Sequence, residues 1–151
     1  MVIGDISQRD LVTCERDSSV QEVAALMRLQ HVGDVVIVET ENGVKRPIGI
    51  VTDRDLVIEL LATEVDTSSV CAGDVMSQQL VQVNVDDDIP AAIDAMRDAG
   101  VRRMPVVDTH GALVGIVTVD DLIGWLAGVL KNLGRLIVHE RDVELERRSK
   151  P

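Results

Sequence analysis

The sequence predicts an α+β fold in which two β-α-β-β-α repeats pack about a pseudo-two-fold axis, followed by a C-terminal helical extension. The 151-residue chain repeats internally, because a shift of 69 positions places Met27 on Met96. Within each repeat, apolar residues follow strand-like and then helix-like spacing. One repeat of roughly sixty residues buries little core alone. These observations favour two related repeats that pack together.

Each repeat is predicted to begin with a short strand, at 11–14 and at 80–85, and to continue with an amphipathic helix. The helix shows apolar residues at i, i+3, i+4 and i+7. They are Val20, Val23, Ala24 and Met27 in the first copy and Ile89, Ala92, Ile93 and Met96 in the second. Ser18–Ser19 and the acidic residues 86–88 lie where caps are expected. Pro90 is expected in the first helical turn, where its missing N–H costs nothing.

Two closely spaced strands and a second helix complete each repeat. The strands are predicted at 35–38 and 48–51, then at 105–107 and 114–117. Asn42-Gly43 and His110-Gly111 are typical of hairpin turns. The closing helices are predicted from about 53 to 62 and from 119 into 130. We expect repeat one at 1–65, repeat two at 66–130 with a polar surface linker at 63–73, and a helical tail at 131–151 that docks on the core or on a partner chain.

Composition limits the classes of partner and ligand. The net charge of −11 argues against nucleic acid, and Trp125 as the sole aromatic residue argues against stacking a base between rings. No apolar run is long enough to span a bilayer, and the N-terminus lacks signal-peptide features. Cys14 and Cys71 lack metal-ligand spacing. We expect a cytoplasmic protein with no metal, nucleic acid or membrane contact.

A heptapeptide closes the last strand of each repeat, GIVTDRD at 49–55 and GIVTVDD at 115–121. Thr-x-x-Asp before a helix is close to a capping box, in which the acid reaches back to the Thr N–H. A cap does not need the glycine, whereas a ligand lying against a strand benefits from a missing side chain. A carboxylate near a helix N-terminus also suits ribose hydroxyls. The heptapeptides therefore indicate caps, ligand sites or both.

A tandem of β-α-β-β-α units that both end in G-h-h-T-x-x-D resembles the cystathionine β-synthase (CBS) domain pair, or Bateman module, over roughly residues 6–130. The resemblance implies a stand-alone bacterial-type regulatory module that binds an adenine nucleotide (AMP, ADP or ATP) between its repeats, requires no cofactor and forms a homodimer. It implies that Asp55 and Asp121 take the ribose diol and that Thr52 and Thr118 lie beside ribose or phosphate. The residues implied to border the adenine are Thr13, Cys14, Gln82, Val83, Gly33, Asp34, Val35, Val36, Arg102, Arg103, Met104 and Pro105.

The two clefts are not expected to be equivalent. The resemblance implies that Arg103, with Arg102, meets phosphates, whereas the aligned Gly33 and Asp34 offer no cation and are expected to repel phosphate. Arg54 has two interpretations, a solvated arginine paired with a neighbouring acid or a phosphate contact toward the other cleft. We expect phosphate first in the cleft to which the unit of Asp121 contributes.

Catalysis is not expected, because His31, His110 and His139 are scattered and no nucleophile lies beside a base in the sequence. Two alternatives remain open. One is a dimerisation or protein-interaction module without a ligand, although assembly alone would not require both Asp55 and Asp121. The other is a binder of a different adenosyl ligand, S-adenosylmethionine or NAD(H). An unidentified regulated protein is a further expected partner.

Overall fold

Two three-stranded sheets form the framework, one in each repeat. The computed structural model describes residues 1–149. The strands are β1 (Thr13–Glu15), β2 (Asp34–Glu41), β3 (Val44–Thr52), β4 (Val83–Asn84), β5 (Arg103–Val107) and β6 (Leu113–Thr118). In each sheet the first strand runs parallel to the second, which is antiparallel to the third. The predicted strand order is confirmed in both repeats.

Helices cover these sheets. They are α1 (Val20–Gln30), α2 (Asp53–Leu56, continued by a π-helical turn at Val57–Leu61), α3 (Ala72–Val75), α4 (Ile89–Ala99) and α5 (Val119–Arg148). Single 3₁₀ turns lie at Ile3–Asp5 and Thr67–Ser69. The predicted helices are all present, and the second helix of repeat one differs from its counterpart by its π-helical turn.

Turns and caps follow the local sequence. Asn42 and Gly43 both have positive φ, 52° and 79°, so they form a tight turn that lets β2 and β3 pair up to Glu41 and Val44. The strands of this hairpin are consequently longer than predicted. Ser19 and Asp88 cap α1 and α4, and proline occupies the first turn of α4 as expected.

The buried face of α1 and α4 is narrower than the apolar pattern indicates. Val20, Val23 and Met27 are buried, as are their counterparts in α4. The i+4 residues differ, because Ala24 is exposed and Ile93 retains 45% of its accessible surface. These positions face away from the sheet that each helix covers.

The segment before each repeat packs on the other repeat. Residues 2–8 run along repeat two, where the Ile3 and Gly4 amides donate to the carbonyls of Asp87 and Val85, both at 2.9 Å. Residues 70–77 pack likewise on repeat one, where the Ala72 amide donates to the Ser18 carbonyl at 2.8 Å. The linker predicted at 63–73 is therefore not entirely on the surface, since Ala72 is fully buried.

Each repeat has its own apolar core, and a smaller cluster joins the sheets. In repeat one, α1, β2 and β3 pack around Ala72. In repeat two, α4, β5, β6 and the start of α5 pack around Ile3. Between the repeats, Val36 and Val38 contact Ile116. This arrangement gives the chain its pseudo-two-fold axis and brings the starts of β2 and β5 together.

The predicted tail is a continuation of α5 and not a separate element. This helix runs unbroken to Arg148, and residues 131–142 are exposed along its length. The expected docking on the core of the same chain is therefore absent. Residues 150–151 of the predicted tail lie outside the described residues.

Candidate functional site

A cleft of about 510 Å³ lies between the two repeats, within the range of roughly 300–1,000 Å³ typical of small-molecule sites. Repeat one contributes the approaches to β1 and β2. Repeat two contributes the approach to β5, the end of β6 and the first turn of α5. We call this space the inter-repeat cleft. Its lining residues are Gln8, Asp10, Leu11, Val12, His31, Val32, Gly33, Asp34, Val36, Arg102, Arg103, Ile116, Thr118, Val119 and Asp120.

An ion pair crosses the cleft from one repeat to the other. The Arg103 guanidinium donates to the Asp34 carboxylate, with side chains 32% and 21% exposed. The two residues stand 69 positions apart, which is the spacing that relates the repeats. They are therefore equivalent residues that meet beside the pseudo-two-fold axis. The cation that sequence analysis assigned to phosphate is already paired with the acid at its own counterpart position.

Asp121 is the third residue of α5 and completes a capping box with the N-cap Thr118, and both of its carboxylate oxygens have partners. Its Oδ2 accepts from the Thr118 amide at 2.8 Å and from the Thr118 hydroxyl at 2.7 Å, and the Asp121 amide donates to Thr118 Oγ1 at 3.2 Å. Its Oδ1 accepts from Gln8 Nε2 at 2.7 Å. The capping box predicted from the heptapeptide is confirmed. Gln8 donates to Oδ1, the carboxylate oxygen that takes no part in the cap.

Asp55 forms the same capping box with Thr52, but within residues 1–149 no side-chain amide equivalent to that of Gln8 donates to its carboxylate. The Thr52 amide donates to Asp55 Oδ2 at 2.8 Å, and the Asp55 amide donates to Thr52 Oγ1 at 3.2 Å. Ser77 occupies the position equivalent to Gln8, and its hydroxyl accepts from the Ile50 amide at 3.2 Å. The two heptapeptides thus share a local geometry and differ in what reaches their carboxylates.

The glycines of the heptapeptides make room for the chain itself, so their interpretation as space for a ligand is wrong. A Cβ on Gly115 would lie 3.0 Å from the Gln8 carbonyl oxygen, and one on Gly49 would lie 2.6 Å from Met76 Sδ. Gln8 pairs with Ile116 through two backbone hydrogen bonds of 2.9 Å, which forces this approach. Residues 2–8 and 70–77, which each pack on the other repeat, are called the exchanged segments, and the glycines are required because these segments lie against them.

Thr13 and Cys14 do not line the inter-repeat cleft. They lie in a separate groove between β1 and α1, where Lys45 Nζ donates to Thr13 Oγ1 at 3.2 Å. Burial raises the pKa of the Cys14 thiol, so the thiol is protonated at neutral pH. The strand approach that reaches the cleft is one step earlier, at Leu11 and Val12.

Several other predicted residues are part of the cores. Val35 is buried in repeat one, and Val83 and Met104 are buried in repeat two. Pro105 is fully buried and Gln82 is exposed. Their backbone lies close to the strands that border the cleft, but none of them is among the residues that line it.

The structure separates the two arginines whose roles were left open. Arg102 is exposed and lines the inter-repeat cleft. Arg54 is exposed at the start of α2, and among residues 1–149 no carboxylate lies within ion-pair distance of its guanidinium. Asp120 occupies the equivalent position in α5 and lines the cleft. Gly33 and Asp34, which were expected to mark a cleft without a cation, line the same cleft as Arg102 and Arg103. The expected difference between two clefts stays a prediction.

Gln8 is the residue that sequence analysis missed, together with its exchanged segment. The signal was present as a second short repeat, because Gly4-Asp5 and Gly73-Asp74 also stand 69 positions apart. This short repeat lies outside the predicted β-α-β-β-α units, and its residues show no strand or helix periodicity, so the pattern analysis did not assign it to an element. Chemically, the assembled cleft offers carboxylates that accept from hydroxyl groups and guanidinium groups that bind anions.

Comparison with known proteins places the chain among its relatives. The CBS domain family model matches residues 3–62 and 72–128. The chain is 33% identical over 120 residues to the CBS domain-containing protein YhcV of Bacillus subtilis, covering 80% of this chain and 81% of YhcV. It is 39% identical over 121 residues to an uncharacterized protein of Methanopyrus kandleri, covering 80% of this chain and 60% of that protein. The chain thus spans less than two thirds of the Methanopyrus relative.

A solved structure shows the same architecture with a ligand. A CBS domain protein from Pyrobaculum aerophilum, complexed with AMP, superposes with a TM-score of 0.72 at 25% identity and covers 81% of this chain and 90% of that chain. In residues 1–149, no helix has the length and apolar character needed to cross a membrane. With both repeats matched by the family model, the chain belongs to the CBS domain family.

Proposed function

We propose that this protein is a regulatory module that binds an adenine nucleotide between its two repeats and acts through rearrangement of a homodimer or of a partner protein in the cytoplasm. The observation that carries the proposal is the pairing of chemistries in one cleft. Thr118 and Arg103 line the cleft, where the Thr118 hydroxyl suits ribose and the Arg103 cation suits phosphate. Asp121 is not among the lining residues, but it follows the lining residue Asp120, and its carboxylate accepts from the Thr118 hydroxyl. The AMP complex of the Pyrobaculum relative supports the nucleotide class.

Ligand binding drives a response only to the extent that the ligand prefers one conformation over another. The inter-repeat cleft suits this role because residues from both repeats line it. A ligand that contacts both repeats changes the free energy of their contact. No catalytic step is proposed, since the cleft groups described above serve binding.

Titration of the purified protein with AMP, ADP, ATP, S-adenosylmethionine and NADH by calorimetry and thermal shift tests the proposal. A ligand present at a hundred times its Kd and bound only to the folded state adds about 2.7 kcal/mol of stability. We expect an adenine nucleotide to bind, and we expect Asp121→Ala and Asp55→Ala each to weaken nucleotide binding. The same ligand series identifies an S-adenosylmethionine or NAD(H) binder.

A cap variant outside the clefts provides the control. Asp88 caps α4 by accepting from the Ala91 amide at 2.8 Å. Asp88→Ala is therefore expected to lower the stability by about 1 kcal/mol, as loss of the cap interaction does in general. It is expected to leave nucleotide affinity unchanged. Absence of a shift with all five ligands would contradict the nucleotide proposal.

A second candidate function is an assembly module that needs no ligand. Exposed apolar residues on α5 favour it, since Leu126, Leu133 and Ile137 are 50%, 54% and 66% exposed, and contiguous exposed apolar surface marks interaction sites. Sedimentation velocity with and without AMP distinguishes the candidates. A dimer whose sedimentation coefficient and thermal stability do not change with any of the five ligands would support the assembly function alone.

A further inference from the structure

The ion pair between Asp34 and Arg103 occupies the place where the proposed ligand would need a free cation. Arg103 begins β5 and Asp34 begins β2, so the pair links the second strands of the two repeats. Both side chains are partly buried, which reduces solvent screening of their attraction. The Asp34 carboxylate takes up the Nη1 donor of Arg103, so a phosphate group that uses this donor must displace or share the Asp34 carboxylate.

Competition between these two anions depends on the charge of the ligand. A carboxylate carries a single negative charge, whereas a phosphate monoester carries about −1.5 to −2 at pH 7 and three strong acceptor oxygens. The guanidinium binds either anion through paired hydrogen bonds. A ligand without phosphate gains nothing from displacing Asp34. The Asp34 carboxylate therefore lowers the affinity of phosphate-bearing ligands and leaves that of a nucleoside unchanged.

We propose that Asp34 is a specificity-determining residue of the inter-repeat cleft, an internal competitor that sets how much a phosphate group contributes to ligand affinity through Arg103. This inference rests on the proposed function. It replaces the expectation that Asp34 borders the adenine and repels phosphate in a second cleft with competition for Arg103 in the inter-repeat cleft. Since Asp34 belongs to one repeat and Arg103 to the other, phosphate binding also exchanges a contact between repeats for a contact to the ligand.

The ratio of adenosine Kd to AMP Kd, measured by calorimetry, tests the proposal. In Asp34→Asn the AMP affinity should rise about fivefold, the upper end for a partly exposed ion pair, while adenosine affinity stays within about twofold. Asp34→Glu keeps the competing carboxylate and should retain the wild-type ratio. Asp53→Asn is the matched control, because Asp53 lies beside Gly33 but its carboxylate makes no ion pair with Arg103. It should also retain the wild-type ratio.

A double-mutant cycle separates competition for Arg103 from simple repulsion of phosphate. In an Arg103→Gln background, Asp34→Asn should change the AMP affinity by less than about twofold. An equal gain in both backgrounds, or an equal gain with Asp53→Asn, overturns the proposal because the effect would then be general electrostatics. Unchanged AMP affinity in Asp34→Asn also overturns it.

The outcomes also distinguish this inference from the proposed function. If the wild type binds AMP and Asp34→Asn does not bind it more tightly, the role of Asp34 fails and nucleotide binding stands. If only Asp34→Asn binds AMP, the competition is supported in its strongest form. If neither protein binds adenosine, AMP, ADP or ATP, the proposed function fails and this inference fails with it.

Discussion

The carboxylate of Asp121 divides its two oxygens between two tasks. One oxygen closes the cap with Thr118, and the other accepts from the Gln8 amide at 2.7 Å. A cap and a ligand-binding acid are therefore compatible uses of one residue. A ribose hydroxyl at Asp121 would replace or share the Gln8 contact and leave the cap in place. Glycine at position 115 is explained in the same way by a local contact, because the absence of a Cβ allows the backbone of Gln8 to approach.

Substitution of this glycine should destabilise the fold without adding or removing a polar group. A Cβ at residue 115 would lie 3.0 Å from a backbone oxygen that two hydrogen bonds hold in place. We expect Gly115→Ala to cost about 1–3 kcal/mol in chemical unfolding, as overpacking does. Gly124→Ala is the control, because open space surrounds that residue in α5 and alanine there gains up to about 1 kcal/mol. Equal stabilities for the two variants would contradict this account of the heptapeptide.

The two equivalent amphipathic helices, α1 and α4, have different residues at their C-terminal ends. Both α1 and α4 end in a left-handed residue, His31 with φ 55° and Gly100 with φ 66°. Glycine adopts this conformation without a Cβ clash, whereas other L-residues are strained there. The first repeat thus carries a cost at its helix end that the second repeat avoids.

Single substitutions at the two helix ends measure the free-energy cost of a left-handed residue that is not glycine. We expect His31→Gly to stabilise the protein by about 0.5 kcal/mol and Gly100→Ala to destabilise it by about 1 kcal/mol. Thermal unfolding of both variants beside the wild type measures the two effects. A lower melting temperature for His31→Gly would show that the histidine side chain contributes more than its backbone conformation costs.

At the scale of the whole molecule, the exchanged segments make the repeats depend on each other. The first turn of the chain belongs to the core of repeat two, where Ile3 is fully buried, and Ala72 belongs to the core of repeat one. Each repeat is therefore completed by chain that precedes the other. Together with the Val36, Val38 and Ile116 cluster, this favours cooperative unfolding of the pair.

Truncation of the first buried residue tests this dependence. We expect Ile3→Ala to cost about 2–5 kcal/mol, the range for large-to-small changes in a core, and to accelerate exchange of the most protected amides in both repeats, because the pair unfolds cooperatively. Met1→Ala is the control, because Met1 is 73% exposed and its truncation should leave stability within about 0.5 kcal/mol. Faster exchange confined to residues 2–8 would contradict the assignment of this segment to the core of repeat two.

The sequence by itself determined the repeat, the order of strands and helices, the helix caps and the Asn42-Gly43 turn. These features follow from interactions within a few residues, so apolar spacing and cap residues are sufficient to predict them. The tertiary structure alone decided which residues meet across the cleft. Gln8 and Asp121 are 113 positions apart, and Asp34 and Arg103 are 69 apart. Such contacts depend on how two repeats and their exchanged segments pack, and no local pattern in a single chain records that packing.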